Sequence, residues 1–346
     1  MFFSQTLLGG WIIHPDSLEV KKSMKNKMII ALAAIITIAI VISATLIYIN
    51  MNQPNNTQGP ISVTDDNGFT TEFDAVPQRI VSLAPSNTQV LYAIGVGDRV
   101  VGVTDYDKYP YDFSAWIAAG NMTSIGGFST PNLETIASLN PDLILAANIH
   151  DSLLSNLRSL GYKVLTLNPH DVDSVFNDII MVGKATGADQ AASALVNSLT
   201  AEMNEIANKI AASNSAKPLV YYEVWYPPLM SAGSTSFIND VITRAGGINI
   251  FANESQQYPT VSSETIVQSN PTVILLPTNM GATGEAPFYG SIDQVKTRPG
   301  WSAISAVQNN RVVIVNGDLF AEAGPRIVEQ IEAAAKALYP EIFNPT

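Results

Sequence analysis

Two glutamates recur in the same local pattern and offer carboxylate chemistry at two places in the chain. Glu134 is followed by Thr-Ile, Asn-Pro and an apolar strand, and Glu264 is followed by the same pattern at the same spacing. An acidic residue at a helix start either complements the helix macrodipole or presents a fixed charge to a partner. Because the pattern occurs twice, it predicts two related α/β lobes with a cleft between them and one glutamate on the outer surface of each lobe.

Aromatic side chains are frequent in the loops predicted to follow the strands. A ligand held between two α/β lobes contacts loops at the carboxyl ends of parallel strands. Flat rings provide contact area at low entropic cost, and they suit a broad macrocycle or an aryl-rich chelate. The aromatic candidates for ligand binding are Tyr106, Phe128, Trp225, Tyr226, Tyr258 and Phe320.

Other residues near these loops have less specific expectations. Tyr109 and Tyr111 are expected in the core or at the rim of the cleft. Trp116 and Trp301 are expected to be structural. Arg326 begins a predicted helix, where it either contacts an anionic ligand or pairs with a nearby acid.

Composition excludes several classes of function. The chain has no cysteine, which removes disulfides, thiolate metal sites and cysteine nucleophiles. The net charge of -12 argues against nucleic acid binding, which needs a basic surface. His150 and His170 are too few for a histidine-rich metal site and are expected in loops. Since the sequence carries no nucleophile elbow, HExxH or P-loop motif, we expect a binding protein and not an enzyme.

The elements that must position these residues alternate between strands and helices. A hairpin is predicted at the start of the body, and β/α units then extend over residues 61–170 as the first lobe. Residues 171–214 form a long helical tract in which Gly183 and Gly187 are candidate interruptions. Its position between the lobes predicts a bridging helix, and one more packed helix is the alternative. Strands and helices resume over residues 215–346 as the second lobe. The predicted fold is therefore α/β, with two Rossmann-like lobes of mostly parallel sheet.

The N-terminal region predicts a membrane anchor. Residues 28–49 are apolar and uncharged, long enough to span a bilayer, and lysines in residues 1–27 place the N-terminus in the cytoplasm. We expect the span to be an uncleaved anchor with the body outside the cell, and residues 50–60 to be a polar linker. Met24 is a natural start, so the residues before it are expected to be an extension of the reading frame.

Several motifs in order resemble the substrate-binding proteins of ABC importers for cobalamin, haem and ferric siderophores. The resemblance covers about residues 61–346. The segments that carry it are SLAPSNT at residues 82–88, VGV with DKYP at residues 101–110, NLE with NPDLI at residues 132–144, AGGINIF at residues 245–251 and PRI at residues 325–327.

The resemblance implies two lobes joined by a single long helix, with a ligand cleft between the lobes. It also implies that Glu134 and Glu264 dock onto arginines of an ABC permease dimer, whose ATPase subunits hydrolyse ATP. Similarity to the cobalamin-binding branch points to Tyr106, Tyr258 and Asp318 as ligand contacts. The chain itself is expected to be a monomer with no cofactor or metal site, and with a cobalt corrinoid as its ligand.

Two residues depart from the cobalamin-binding branch and keep other ligands open. Leu319 and Glu322 stand where that branch tends to carry an aromatic residue and an arginine. A ferric siderophore or haem is therefore the alternative ligand. A surface sensor or adhesion module on the same scaffold is the alternative function. An uncleaved anchor without a lipobox cysteine is typical of an archaeal surface protein.

Overall fold

The computed structural model describes residues 60–278 and 291–343. The predicted N-terminal segment, the anchor at residues 28–49 and all of the linker except Pro60 lie outside the described residues. Within those two ranges, no helix has the length and apolarity needed to cross a membrane. The described chain forms two α/β lobes connected by a pair of helices.

The first lobe is built on a parallel sheet of five strands, and the predicted hairpin precedes it. The hairpin pairs Ile61 with Phe73 in antiparallel register. The strands are β1 (Ile61–Thr64), β2 (Thr70–Phe73), β3 (Ile80–Ser82), β4 (Val100–Val103), β5 (Thr123–Ser124), β6 (Gly126–Gly127), β7 (Thr130–Pro131), β8 (Leu143–Ala147) and β9 (Val164–Leu167). The helices are α1 (Pro85–Ala93), α2 (Phe113–Ala118), α3 (Leu133–Ser138) and α4 (Asp151–Ser159). The main sheet has the order β5-β4-β3-β8-β9.

Two helices connect the lobes, where one bridging helix over residues 171–214 was expected. They are α5 (Val172–Thr186) and α6 (Asp189–Ala212). The break comes at Gly187, which has a φ of 68° and caps the end of α5 in the left-handed conformation that glycine adopts at low cost. Gly183 does not interrupt the helix. Its missing side chain instead allows α6 to pack closely, since a Cβ there would lie 2.4 Å from the Cβ of Ala192.

The first of these helices contacts both lobes and is therefore the bridge. At its start, the backbone N–H of Val172 donates to Asp240 of the second lobe at 2.9 Å. At its end, the carbonyl of Thr186 accepts from Arg99 of the first lobe at 2.8 Å. The second helix folds back on the first and packs against the second lobe, where Arg244 contacts Met203. The bridging segment is thus a helical hairpin.

The second lobe repeats the first in reduced form. Its strands are β10 (Leu219–Tyr222), β11 (Ile248–Asn249), β12 (Val273–Pro277) and β13 (Val312–Val315). Its helices are α7 (Phe237–Arg244), α8 (Ser263–Ser269), α9 (Ile292–Lys296), α10 (Ser305–Gln308), α11 (Gly317–Phe320), α12 (Ile327–Leu338) and α13 (Pro340–Phe343). The sheet order β11-β10-β12-β13 matches β4-β3-β8-β9 of the first lobe, and every pair in it is parallel.

The repeated Asn-Pro has a backbone cause. Asn140 and Asn270 follow α3 and α8 with φ of 46° and 44°. Asparagine tolerates this left-handed conformation, which ends a helix, and the following proline cannot continue it. Each helix then leads into the equivalent strand of its sheet, β8 or β12. The sequence duplication is therefore a duplication of structure.

Candidate functional site

Segments that follow strands of the two sheets contact each other across the lobes. The side-chain amide of Gln89 in α1 donates to the Glu322 carboxylate beyond α11. The Arg326 guanidinium lies 4.3 Å from the centre of the Tyr109 ring. Gly324 lies against Ser86, whose Cβ would be 3.4 Å from a Cβ on the glycine. The segments that follow β3, β4 and β13 therefore meet at one interface between the lobes.

On the first lobe, Tyr106 and Phe128 lie on adjacent loops. Tyr106 is 61% exposed, and its ring is near Gly127, the residue before Phe128. Phe128 is partly buried and meets the His150 ring edge to face, with ring centres 5.5 Å apart. Two candidate aromatic residues are thus brought together on one side of the interface.

His150 holds the Phe128 loop in place, which the sequence did not indicate. It is buried, its Nε2 lies 2.6 Å from the Phe128 carbonyl, and its Nδ1 accepts the Ala147 N–H at 3.2 Å. Because Nδ1 accepts, the proton is on Nε2, which donates to the carbonyl. The expectation of a simple loop histidine is replaced by that of a positioning residue. Only the buried pairing reveals this, since an isolated histidine in a sequence carries no such signal.

On the second lobe, the Trp225 and Tyr226 rings follow strand β10. Trp225 is 43% exposed, and its indole N–H donates to the Pro227 carbonyl at 3.0 Å. The Tyr226 ring stacks on Arg298, with the guanidinium 4.1 Å from the ring centre. The site therefore includes one exposed ring and one ring fixed by a cation.

Arg298 is itself held by a buried ion pair. Its guanidinium makes two hydrogen bonds of 2.5 and 3.0 Å to the Glu223 carboxylate, and the exposed fractions of the two side chains are 9% and 3%. The other face of the guanidinium lies 4.7 Å from the Trp301 ring, whose N–H donates to Ser263. Planar arginine suits this combination of bidentate pairing and stacking. Tyr226 therefore rests on a fixed support.

Breaking this ion pair is expected to destabilise the fold. Glu223→Gln leaves the Arg298 charge buried without a counter-charge, which lowers the free energy of unfolding by about 3 kcal/mol. Replacing both residues, with Arg298→Met added, recovers part of that loss because no buried charge remains. Urea unfolding of the single and double variants measures both values. A loss below about 1 kcal/mol in Glu223→Gln contradicts the assignment.

Tyr258, Asp318 and Phe320 differ in their access to a ligand. Burial raises the pKa of the Tyr258 hydroxyl to about 12, so this partly buried phenol stays neutral and keeps its donor. Asp318 is partly buried in the first turn of α11. Phe320 is only 1% exposed and stacks on Tyr222 in the core, with ring centres 6.0 Å apart. Phe320 therefore packs in the core of this structure, and its expected contact with a ligand stays a prediction.

The structure also shows the surroundings of Arg326, Tyr109 and Tyr111, for which the sequence left more than one role or position open. Arg326 pairs with Glu329 at 2.8 Å, so the expected pairing with a nearby acid is confirmed, while its contact with an anionic ligand stays a prediction. Tyr109 and Tyr111 are 43% and 47% exposed, at the rim. Tyr111 stacks on Trp116 with ring centres 4.9 Å apart. Within residues 60–278 and 291–343, no group of three or more metal-ligating side chains is arranged to hold an ion.

Glu134 and Glu264 occupy equivalent positions on the two lobes. Each is the second residue of its helix, after an N-cap, Asn132 or Ser262, whose side chain accepts a backbone N–H. Both glutamates are exposed, and neither forms an ion pair with any residue in the described ranges. The pKa of Glu264 is lowered, because its own backbone amide and the Ser262 hydroxyl stabilise the carboxylate. Two fixed, unpaired negative charges are therefore presented.

Comparison with known sequences identifies the family. The sequence model described as "Periplasmic binding protein" matches residues 80–319, which include both sheets. The chain belongs to the periplasmic binding protein family. Its relatives include an uncharacterised ABC transporter substrate-binding lipoprotein of Bacillus subtilis, which is 33% identical over 82% of this chain and 87% of the relative.

Two further relatives are described by the ligands that they bind. A cobalamin-binding protein of Halobacterium salinarum is 30% identical over 81% of this chain and 74% of the relative. The crystal structure of a possible iron-binding, periplasmic solute-binding protein of Staphylococcus epidermidis superposes with a TM-score of 0.66 at 28% identity. The superposition covers 77% of this chain and 100% of the Staphylococcus epidermidis chain. The two-lobed fold is thus shared with members whose described ligands differ.

Proposed function

We propose that this periplasmic binding protein is the extracytoplasmic receptor of an ABC importer and that it captures a cobalt corrinoid. The observation that carries the proposal is the placement of the aromatic residues. Tyr106 and Phe128 on one lobe, and Trp225 and Tyr226 on the other, lie on loops at the carboxyl ends of the two parallel sheets. Such loops bind ligands in open α/β folds. Rings on both lobes suit a broad, flat ligand.

The partners follow from the two exposed glutamates. Glu134 and Glu264 lie on equivalent rigid helix starts, which suits a two-fold partner that presents a basic group to each lobe. The permease dimer of an ABC importer is such a partner, and its ATPase subunits provide the energy for transport. The binding protein itself contributes non-covalent capture and delivery.

The proposed membrane anchor lies outside the described ranges. The uncharged segment at residues 28–49 and the lysines before it support a single span with the body outside the cell. In this proposal the span replaces the lipid anchor of a lipoprotein, since the chain has no cysteine to carry one. The relative from Halobacterium salinarum supports an archaeal origin for this arrangement.

An iron chelate is the second candidate ligand, and one observation favours it. The crystal structure from Staphylococcus epidermidis described as possibly iron-binding shares the fold at 28% identity. Haem or a ferric siderophore presents a flat or aryl-rich surface that the same aromatic loops would accommodate. The transport role is the same for either ligand.

Uptake by the host cell tests the transport role. Deletion of the gene should abolish accumulation of labelled cyanocobalamin at limiting supply, and restoring the gene should return it. Loss of ferric chelate uptake with normal cobalamin uptake would replace the ligand but keep the role. Normal uptake of both would contradict the role as importer receptor.

A further inference from the structure

The contact between Gln89 and Glu322 joins the lobes through one hydrogen bond. It leaves the side-chain oxygen of Gln89 without a donor in the described part of the chain. The Gln89 amide N–H donates to Oε2 of Glu322. The Gln89 side chain is only 2% exposed, and its Oε1 has no hydrogen-bond partner among the described residues. A buried acceptor without a donor is unfavourable. An ionised carboxylate cannot relieve this, because it carries no proton to donate.

A protonated Glu322 carries the O–H donor that the side-chain oxygen of Gln89 needs. A carboxylic acid both donates and accepts, and so does a primary amide. The two can therefore form a paired contact, in which the amide N–H donates to the acid carbonyl and the acid O–H donates to Oε1. Only the neutral acid satisfies both atoms of the glutamine.

The charges around Glu322 also favour its neutral form. Asp107 from the loop after β4 and Asp318 from α11 both face it and oppose a further negative charge. Asp107 is 1% exposed, and its carboxylate accepts from Thr104 while its Oδ1 has no partner in the described ranges. Among the described residues, the cation that faces Glu322 is Arg326, which is engaged by Glu329 and the Tyr109 ring. Partial burial, Asp107 and Asp318 raise the pKa of Glu322 to about 7, against the opposing effects of the Gln89 hydrogen bond and of Arg326.

We propose that Gln89 and Glu322 form a clasp that holds the two lobes closed, and that the clasp is complete only when Glu322 is protonated. Closure then takes up a proton, and opening releases it. The inference rests on the proposed function only where it concerns ligand capture. The clasp itself is a property of the two lobes.

The direction of the pH effect follows from linkage. A hydrated glutamate in an opened cleft would have the unperturbed pKa of about 4.5, whereas the pKa of Glu322 in the closed form is about 7. A group with the higher pKa in the closed form favours closure as the pH falls. The closed population should therefore increase from about pH 7 down to about pH 4.5 and change little beyond either limit. The equilibrium shifts by at most about tenfold per pH unit.

Spin labels on the two lobes measure closure directly. The chain has no cysteine, so Ser138→Cys and Gln268→Cys introduce the only labelling sites. Both positions are exposed, and they occupy equivalent places on α3 and α8. Electron–electron double resonance on the full chain in detergent, without ligand, gives the distance distribution from about pH 8 to about pH 5.

The variants separate protonation from simple packing. Glu322→Gln keeps the shape and the paired hydrogen bonds without a titrating group, so it should stay in the short-distance population at every pH. Gln89→Met keeps the volume without the hydrogen bonds, so it should remain in the long-distance population. The parent should move from long to short distances as the pH falls. The clasp would be overturned if the distances in the parent protein did not depend on pH. It would also be overturned if Glu322→Gln showed the same pH dependence as the parent.

Binding provides a second readout that depends on the ligand. Calorimetric titration with cyanocobalamin in buffers of different ionisation enthalpy should show proton uptake near pH 6, about midway in the expected window, and none in Glu322→Gln. Binding without proton uptake would overturn the coupling of the clasp to capture. If cyanocobalamin fails to bind, the ligand proposal fails, and the spin-label distances still decide the clasp.

Discussion

Neutralising both Glu134 and Glu264 is expected to abolish uptake while leaving ligand affinity unchanged. Glu134→Gln and Glu264→Gln keep the size of each side chain and remove the charge that a basic permease surface recognises. Each single change should reduce uptake partially. The pair should lower the affinity for the permease by at least about tenfold, because both lobes lose their charged contact. Uptake of labelled ligand and calorimetric affinity, measured for the same variants, test the two parts separately.

A matched pair of surface glutamates controls for loss of charge alone. Glu72 in β2 and Glu205 in α6 are also exposed, and Glu72→Gln with Glu205→Gln removes the same net charge from other surfaces. This control should transport normally. Normal transport by the Glu134 and Glu264 double variant, or equal loss in the control, would contradict the docking role.

Removing an exposed ring from either lobe is expected to weaken ligand binding strongly. Tyr106→Ala and Trp225→Ala each remove a large aromatic contact, which typically costs about 2 kcal/mol, or about 30-fold in affinity. Because the two residues lie on different lobes, the losses should be nearly additive in the double variant. Tyr106→Phe and Trp225→Phe keep a ring and should retain most of the affinity. Calorimetric titration of the five variants measures these changes.

An aromatic residue away from the interface provides the comparison. Phe69 lies in the hairpin turn and is 51% exposed, which is similar to Tyr106 and Trp225. Phe69→Ala should leave ligand affinity unchanged. Full affinity in both Tyr106→Ala and Trp225→Ala would show that these two rings do not bind the ligand.

Much of the fold could be predicted because its signals are local. The helix Phe237–Arg244 begins after Ser236 and precedes a Gly-Gly pair, and the strand Val100–Val103 is apolar and β-branched. The hairpin at residue 61 follows from its Asp-Asn-Gly turn. The repeat also predicts two related lobes, and each of them places its Asn-Pro strand beside the first strand of its parallel sheet. Periodicity and capping determine such features within a few residues of one another.

The remaining features depend on contacts between distant parts of the chain. The position of Gly187 was a visible candidate for a break, but whether the helix stops there depends on the packing of α5 against α6. Phe320 is an aromatic residue near a predicted ligand loop, and only the tertiary packing shows that it lies in the core. The contact of Gln89 with Glu322 joins residues from different lobes, and neither residue has a motif that indicates the other.

Calorimetric titration of residues 59–346 with cyanocobalamin tests the central claim most directly. These residues form one compact unit, so the soluble body can be studied without the N-terminal segment. Cobinamide, haemin and a ferric hydroxamate are titrated alongside, together with Tyr258→Ala and Asp318→Ala. We expect the protein to bind both corrinoids tightly and the two variants to bind them more weakly. Binding of an iron chelate alone would contradict the corrinoid assignment, and binding of none of the four ligands would contradict the receptor function itself.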